Sequence, residues 1–243
     1  MKKHFIPFAL LLLALVGCKH KEANLVEAEP YSYIDSLYLE NEFEEGYSYF
    51  LMNVDLPVCD NDSLRLNILH WMLSPETEDH EAYIESVKNQ FFEEEGVEPR
   101  SSYEENYTLA EQTDRYVTYI TEGFMYSGGA HDMPWYYGTT FSKIDGSIVG
   151  YDMFDNPELL IPLISENLRT QYFETLEQDD YPIDFDEVTV LPTNEPWIET
   201  DCVVFCYQSF EIASYADGLP LCKISKEDLK PYLSEKGKSI LLF

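Results

Sequence analysis

The stretch Tyr126-Ser-Gly-Gly-Ala-His131-Asp132 offers the clearest material for chemistry in this chain, an imidazole beside a carboxylate delivered by the adjacent glycines Gly128 and Gly129. Glycine reaches positive φ and lets other groups approach the main chain, so the pair predicts a tight turn that sets His131 in a defined place. His131 then reads in three ways: as a satisfied turn or core residue, as a ligand contact, or as a group that titrates in catalysis with a carboxylate such as Asp132. Just beyond, Trp135-Tyr136-Tyr137 could stack on sugar rings while Asp132 hydrogen-bonds hydroxyls. The same aromatics could equally serve strand packing. There is no G-x-S-x-G and no defensible Ser-His-Asp order, so no catalytic residue is assigned. Neither C-x-x-C nor H-E-x-x-H occurs, and His20, His70, His80 and His131 lack ligand spacing. Asp179 to Glu187 is acidic but lacks the Asp-x-Asp-x-Asp-Gly pattern of a calcium loop. Neither a metal nor a cofactor is expected.

The strands and helices around these residues are legible as periodicity. Tyr33 to Leu39 and Tyr47 to Leu56 alternate around Glu44-Glu45-Gly46 and predict a hairpin. Asp60 to Ser63 supply caps for a helix over Leu64 to Leu73, with Leu64, Ile68, Leu69 and Met72 on one face. A second helix has Thr77 as a cap, Tyr83, Ile84, Val87 and Phe91 at spacings of three and four, and Gly96 as its stop. Arg115 to Met125 predicts a strand leading into the glycine turn. Tyr136 to Lys143 and Ser147 to Gly150 flank Asp145-Gly146, a strong hairpin signal. Asn156-Pro157-Glu158 starts a helix that buries Leu160, Ile164 and Leu168. Residues 174 to 187 form an acidic connector. Glu187 to Leu191, Cys202 to Ile212 and Leu219 to Ile224 predict strands, and Ser225 caps a last short helix ending near Leu233. Mixed elements without βαβ repetition predict an α+β fold, a largely antiparallel sheet with packed helices in two subdomains.

The start of the chain speaks to address. A basic opening (Lys2, Lys3) precedes an apolar run from Phe8 to Val16, too short to span about 30 Å of hydrocarbon as a helix, which predicts a signal peptide over residues 1–17. Its end, Leu15-Val16-Gly17-Cys18, resembles the lipobox of bacterial lipoproteins, which implies a lipidated Cys18. A flexible tether is expected over residues 18–30. The expected location is the cell envelope, lipid-anchored at the outer membrane or cell surface, with the membrane touched only through the anchor. Export permits disulfides among Cys59, Cys202, Cys206 and Cys222. Along a strand, Cys202 and Cys206 stand roughly 13 Å apart, too far to bond, while Cys222 could pair with either or remain a small buried thiol.

Charge restricts the partners. The 243 residues carry 46 acids against 15 lysines and arginines, a formal charge of −31. A polyanion of this size repels nucleic acid. With 45% apolar residues, the chain has material for a packed core, so global disorder is excluded. No Lys or Arg occurs between Arg169 and Lys223, and only Lys88 and Arg100 interrupt the acids of residues 76 to 111. Such surfaces favour cationic partners, and they also keep an exposed protein soluble.

The run Tyr126 to His131, then Phe141 and Gly146, then Tyr151-Asp-Met-Phe154, resembles the opening of the extracellular family called domain-of-unknown-function 3298, the RsiV-like C-terminal domain. Its closing pattern is similar to Val203 to Gly218, followed by Leu221-Cys-Lys-Ile224 and Leu229-Lys-Pro-Tyr-Leu233. The resemblance places this domain at residues 126–235, after an N-terminal α+β subdomain at 31–125 that weakly resembles the family's usual companion domain. It implies an extracytoplasmic binding or sensing module, of the kind found in lysozyme-sensing anti-sigma factors, beside the catalytic domain of some peptidoglycan deacetylases, and in lipoproteins. It supplies no catalytic residues. The resulting expectation is a non-catalytic envelope module for a cationic protein such as lysozyme or for peptidoglycan fragments, with His131, Asp132, Trp135 and Tyr136 as ligand contacts. The alternative is a small envelope-polymer hydrolase using His131 with a carboxylate.

Overall fold

In the computed structural model, which describes residues 25–93, 97–173 and 188–243, the chain begins with two long strands, β1 (Glu27–Glu40) and β2 (Glu45–Val58). They pair antiparallel from Glu40↔Glu45 back to Glu27↔Val58. The Asn41 side-chain oxygen closes the turn by accepting from the amides of Phe43 and Glu44 at 2.8 and 2.9 Å. This hairpin is longer than expected, and Glu27 to Pro30, read as tether, are strand residues paired with β2.

Helices α1 (Asp62–Met72) and α2 (His80–Glu93) follow. Asn61 caps α1 by accepting from Leu64 N at 3.2 Å, and the expected stripe of Leu64, Ile68, Leu69 and Met72 is buried. At α2 the cap is Asp79, which accepts from Ala82 N at 3.0 Å, and Thr77 instead accepts from Asp79 N. Gly96 lies outside the described residues. The two helices carry the chain back over the sheet so that β3 (Ser102–Gln112) runs parallel to β2, the long crossover that parallel pairing requires. Then β4 (Tyr116–Tyr126), β5 (Met133–Ser142) and β6 (Ile148–Val149) continue antiparallel, giving six strands in the order β1 to β6. The division expected between residues 125 and 126 falls within the last two residues of β4, which pairs with β5 from Met125↔Met133 to Tyr116↔Ser142.

Alternation along each strand sends side chains to opposite faces. The inner face buries Phe50, Met52, Val54, Val117, Tyr119 and Phe141 under α1 and α2. Each such side chain contributes roughly 1.5–3 kcal/mol from burial. On the outer face, β4 and β5 meet a second antiparallel sheet, β7 (Trp197–Ile198), β8 (Cys202–Cys206) and β9 (Leu221–Ser225). The junction is polar as well as close. Thr118 Oγ1 donates to Ile198 O, and Ile198 N donates to Thr140 Oγ1, both at 2.9 Å. Val204 and Cys206 face the large sheet with Trp197. Val203, Phe205, Cys222 and Ile224 face the other way, onto α3 (Ile161–Phe173), whose Ile164 and Leu168 are buried. The chain ends in α4 (Lys226–Leu229), capped by Ser225, and α5 (Glu235–Leu241), which was not expected. The architecture is α+β, with helices, a mostly antiparallel sheet, a small sheet and a further helix stacked as four layers.

Two strand expectations fail. Val188 to Leu191 forms no strand, and β8 stops at Cys206 because Gln208 to Ala213 turns back on itself, with Phe210 N donating to Ala213 O. The acidic connector of residues 174–187 lies outside the described residues, as does Cys18. The other four cysteines are free thiols. Cys222 sits opposite Phe205, so it points away from the face that carries Cys202 and Cys206. Burial pushes the Cys206 and Cys222 thiols up to about 12. No helix among the described residues is long and apolar enough to cross a membrane.

Candidate functional site

The glycine turn between β4 and β5 forms as its composition predicts. Gly128 and Gly129 take φ of 114° and 91°, in the region where a side chain is strained. Tyr126 OH donates to Gly129 O at 3.1 Å. His131 is thereby presented at the surface, its ring stacked on Tyr215 with centroids 3.9 Å apart and planes 16° from parallel. Its Nδ1 lies 2.8 Å from Asp132 O, a main-chain atom. The Asp132 carboxylate accepts from Tyr215 OH, and this bond raises the Tyr215 phenol pKa. His131 and Asp132 therefore clasp the 3-10 turn Tyr215–Asp217, itself held by Ser214 and Asp217, and do not form an acid–base couple with each other.

Trp135 and Tyr136, adjacent on β5, necessarily face opposite ways. Trp135 is on the inner side, its ring centroid 5.6 Å from that of Tyr103, and it lies so close to Gly123 that a Cβ there would stand 2.6 Å from the indole. Tyr136 is on the outer side. Gln208 brackets its main chain, accepting from Tyr136 N at 3.3 Å and donating to Tyr136 O at 2.8 Å, and its ring meets Trp197 edge-on at 5.6 Å. The four residues expected to share a site are thus divided between a clasp, an inner face and an outer face.

The outer face of β3, β4 and β5 holds a shallow concavity of about 260 Å³, lined by Glu104, Asn106, Glu122, Gly123, Phe124, Trp135 and Tyr136. Cross-strand pairing sets Glu104 against Phe124 and Asn106 against Glu122. A polar ladder stiffens its floor. Ser32 Oγ donates to Asn53 Oδ1 at 2.6 Å, Asn53 Nδ2 donates to Asn106 Oδ1 at 2.7 Å, and Asn106 Nδ2 reaches Glu104 Oε1 at 3.5 Å. Two carboxylates, two outward rings and an amide with no basic side chain in the lining suit an ammonium or guanidinium group on an apolar stem. A wider hollow of about 700 Å³ runs along α2 past Glu85, Asn89 and Glu93, but it contains no aromatic ring and none of the residues singled out above, so the smaller concavity is the better candidate. Among the described residues no group of three or more His, Cys, Asp or Glu could hold a metal ion.

Between Glu104 and Asn106, Glu105 points the opposite way, to the inner face, and is only 6% exposed. Tyr103 OH donates to its carboxylate at 2.6 Å and Thr121 Oγ1 reaches it at 3.5 Å. Burial raises its pKa above the ordinary carboxyl value, against the lowering effect of those bonds. The sequence reading missed Glu104, Glu105, Asn106, Glu122, Gly123 and Phe124. The available signal was the alternation of β4, already read as a strand, which places Glu122 and Phe124 on one face and Gly123 on the other.

No family model matches the chain, and no curated protein does. Solved structures do match. A DUF3298 family protein from Pseudomonas aeruginosa PAO1 is 17% identical with a TM-score of 0.62, over 88% of this chain and 97% of that one. A member of the same family from Bacteroides fragilis NCTC 9343 is 16% identical with a TM-score of 0.64, over 88% of this chain and 98% of that one. At such identities the likeness is one of fold. The chain thus has the α+β fold of DUF3298 family structures, the same family that its Tyr126 to His131 and Val203 to Gly218 motifs resemble.

Proposed function

We propose that this protein is a lipid-anchored, non-catalytic binding module of the bacterial cell envelope whose partner is a cationic protein such as lysozyme. The observation that carries this reading is the concavity, where Glu104 and Glu122 stand beside Phe124 and Tyr136 with no cation in the lining. A lysine or arginine of the partner would lay its stem on the rings and its charge against the carboxylates. Exposed ion pairs contribute only about 0–1 kcal/mol each, so affinity comes from the rings while the chain's −31 charge sets encounter rate and selectivity. Anchoring rests on the resemblance of Leu15-Val16-Gly17-Cys18 to a lipobox.

A glycan fragment is the second reading, favoured by the Ser32–Asn53–Asn106 ladder beside Tyr136, a pattern able to meet sugar hydroxyls and ring faces. Hydrolysis draws no support from the Asp132 carboxylate, which is engaged by Tyr215 and not by His131, whose Nδ1 lies against Asp132 O. Calorimetric titration of the chain from Cys18 onward with hen lysozyme, and separately with muropeptides, tests the proposal. Saturable heat with lysozyme, weakened roughly tenfold (about 1.4 kcal/mol) by joint Glu104→Gln and Glu122→Gln substitution, is the expected result. Heat with muropeptides alone would transfer the role to the glycan, and silence with both would remove the binding reading.

A further inference from the structure

The concavity shares residues with a buried acid on the reverse of the same sheet. Glu105 is enclosed by neutral groups from every element packed on it: Tyr103 and Tyr107 from its own strand, Tyr83 from α2, Thr121 from β4, and Trp135 and Tyr137 from β5. From α1, Trp71 closes the back by packing edge-on against Tyr107 and Tyr137 at 5.6 and 6.2 Å. None of the neighbours acting most strongly on Glu105 is a lysine, an arginine or a second carboxylate. A carboxylate formed here has no counter-ion among those neighbours and calls for hydrogen-bond donors.

One donor is spare. Trp135 Nε1 is buried and makes no hydrogen bond, although Trp135 stands close enough to Glu105 to favour its ionised form. The indole lies against Gly123, where no side chain holds it back, and residues 123 and 135 both belong to the lining of the concavity, so the ring packs beneath its floor. We propose that Glu105 is a proton-operated control on this site: loss of its proton to solvent draws the Trp135 indole N–H into a hydrogen bond with the carboxylate and shifts the ring that supports the floor of the concavity from the inner face. The concavity then has two forms, selected by pH. Its role in regulating a partner rests on the binding reading above, but the movement does not need a partner.

The indole N–H resonances of Trp71, Trp135 and Trp197, assigned with Trp135→Phe, report the step directly. Between about pH 4 and about pH 8, a range bracketing and exceeding the ordinary glutamate value, the Trp135 signal should move downfield in one titration while the protein stays folded. Glu105→Gln should abolish the movement. Tyr103→Phe, which removes a donor favouring the ionised form, should displace the inflection to higher pH, and it keeps the test decisive if Glu105→Gln fails to fold. A flat Trp135 trace in the unmodified protein, a step that persists in Glu105→Gln, or an inflection unmoved by Tyr103→Phe would overturn the proposal. Because no ligand is present, a flat trace would leave the binding reading intact, and failure to bind lysozyme would leave the switch intact.

Discussion

At the scale of the residue, the organising contact is Trp135 over Gly123. A methyl group at position 123 would stand 2.3 Å from Glu104 O and 2.6 Å from the indole, and the main-chain oxygen has nowhere to go. Gly123→Ala should therefore destabilise the fold by about 1–3 kcal/mol, read as a lower urea midpoint. Glu105 makes a second prediction, with a definite sign. Its folded-state pKa is raised by burial, so its contribution to stability is fully present below the unfolded value, about 4.3, and is lost as pH climbs through the folded value. Urea midpoints of the unmodified protein should fall relative to those of Glu105→Gln over that climb and then run parallel. A constant difference at all pH values would contradict the assignment. Gly128, Gly129 and His131 were readable from residue type, because only a turn rich in positive φ needs two glycines there. The split between Trp135 and Tyr136 followed from the period of a strand, yet their shared aromatic character suggested a shared role.

At the scale of the element, α1 and α2 were legible because their apolar residues repeat at three and four, a local signal that packing keeps in α1 and modifies in α2, where Lys88 is buried with Ile84 and Phe91. The cap of α2 shows where local reading stops, since Thr77 and Asp79 are both competent and only the observed backbone path selects Asp79. Asp79→Ala should lower stability by about 0.5–2 kcal/mol, and Thr77→Ala by less, in paired thermal or urea melts. The strand β3 was not recognised. An acid at its inward position, Glu105 between Tyr103 and Tyr107, breaks the alternation of apolar and polar residues that marks a half-buried strand. The opposite error at Gln208 to Ile212 has a related cause. Its composition resembles a strand, but Gln208 is fastened to Tyr136 and the chain must turn there to bring Tyr215 against His131.

At the scale of the whole molecule, the surplus of acids makes association an ionic-strength experiment. If the partner is cationic, its on-rate should drop steeply as salt rises from about 0.01 M to about 0.15 M, where the screening length shrinks from about 30 to about 8 Å. A rate insensitive to salt would point to contacts dominated by rings and amides. Residue order was enough to read the class of the fold, the helices with apolar stripes, the hairpins, the glycine turn and the sign of the surface, because each is a property of residues within a few positions of one another. Long-range packing is what makes β2 and β3 run parallel, sets the boundary expected at residue 125 inside one sheet, and lays the small sheet over one end of the outer face so that the concavity stays open. The same packing brings His131 against Tyr215 and Trp135 near Glu105. Those outcomes depend on which distant surfaces exclude water from one another, and no local run of residues carries that information.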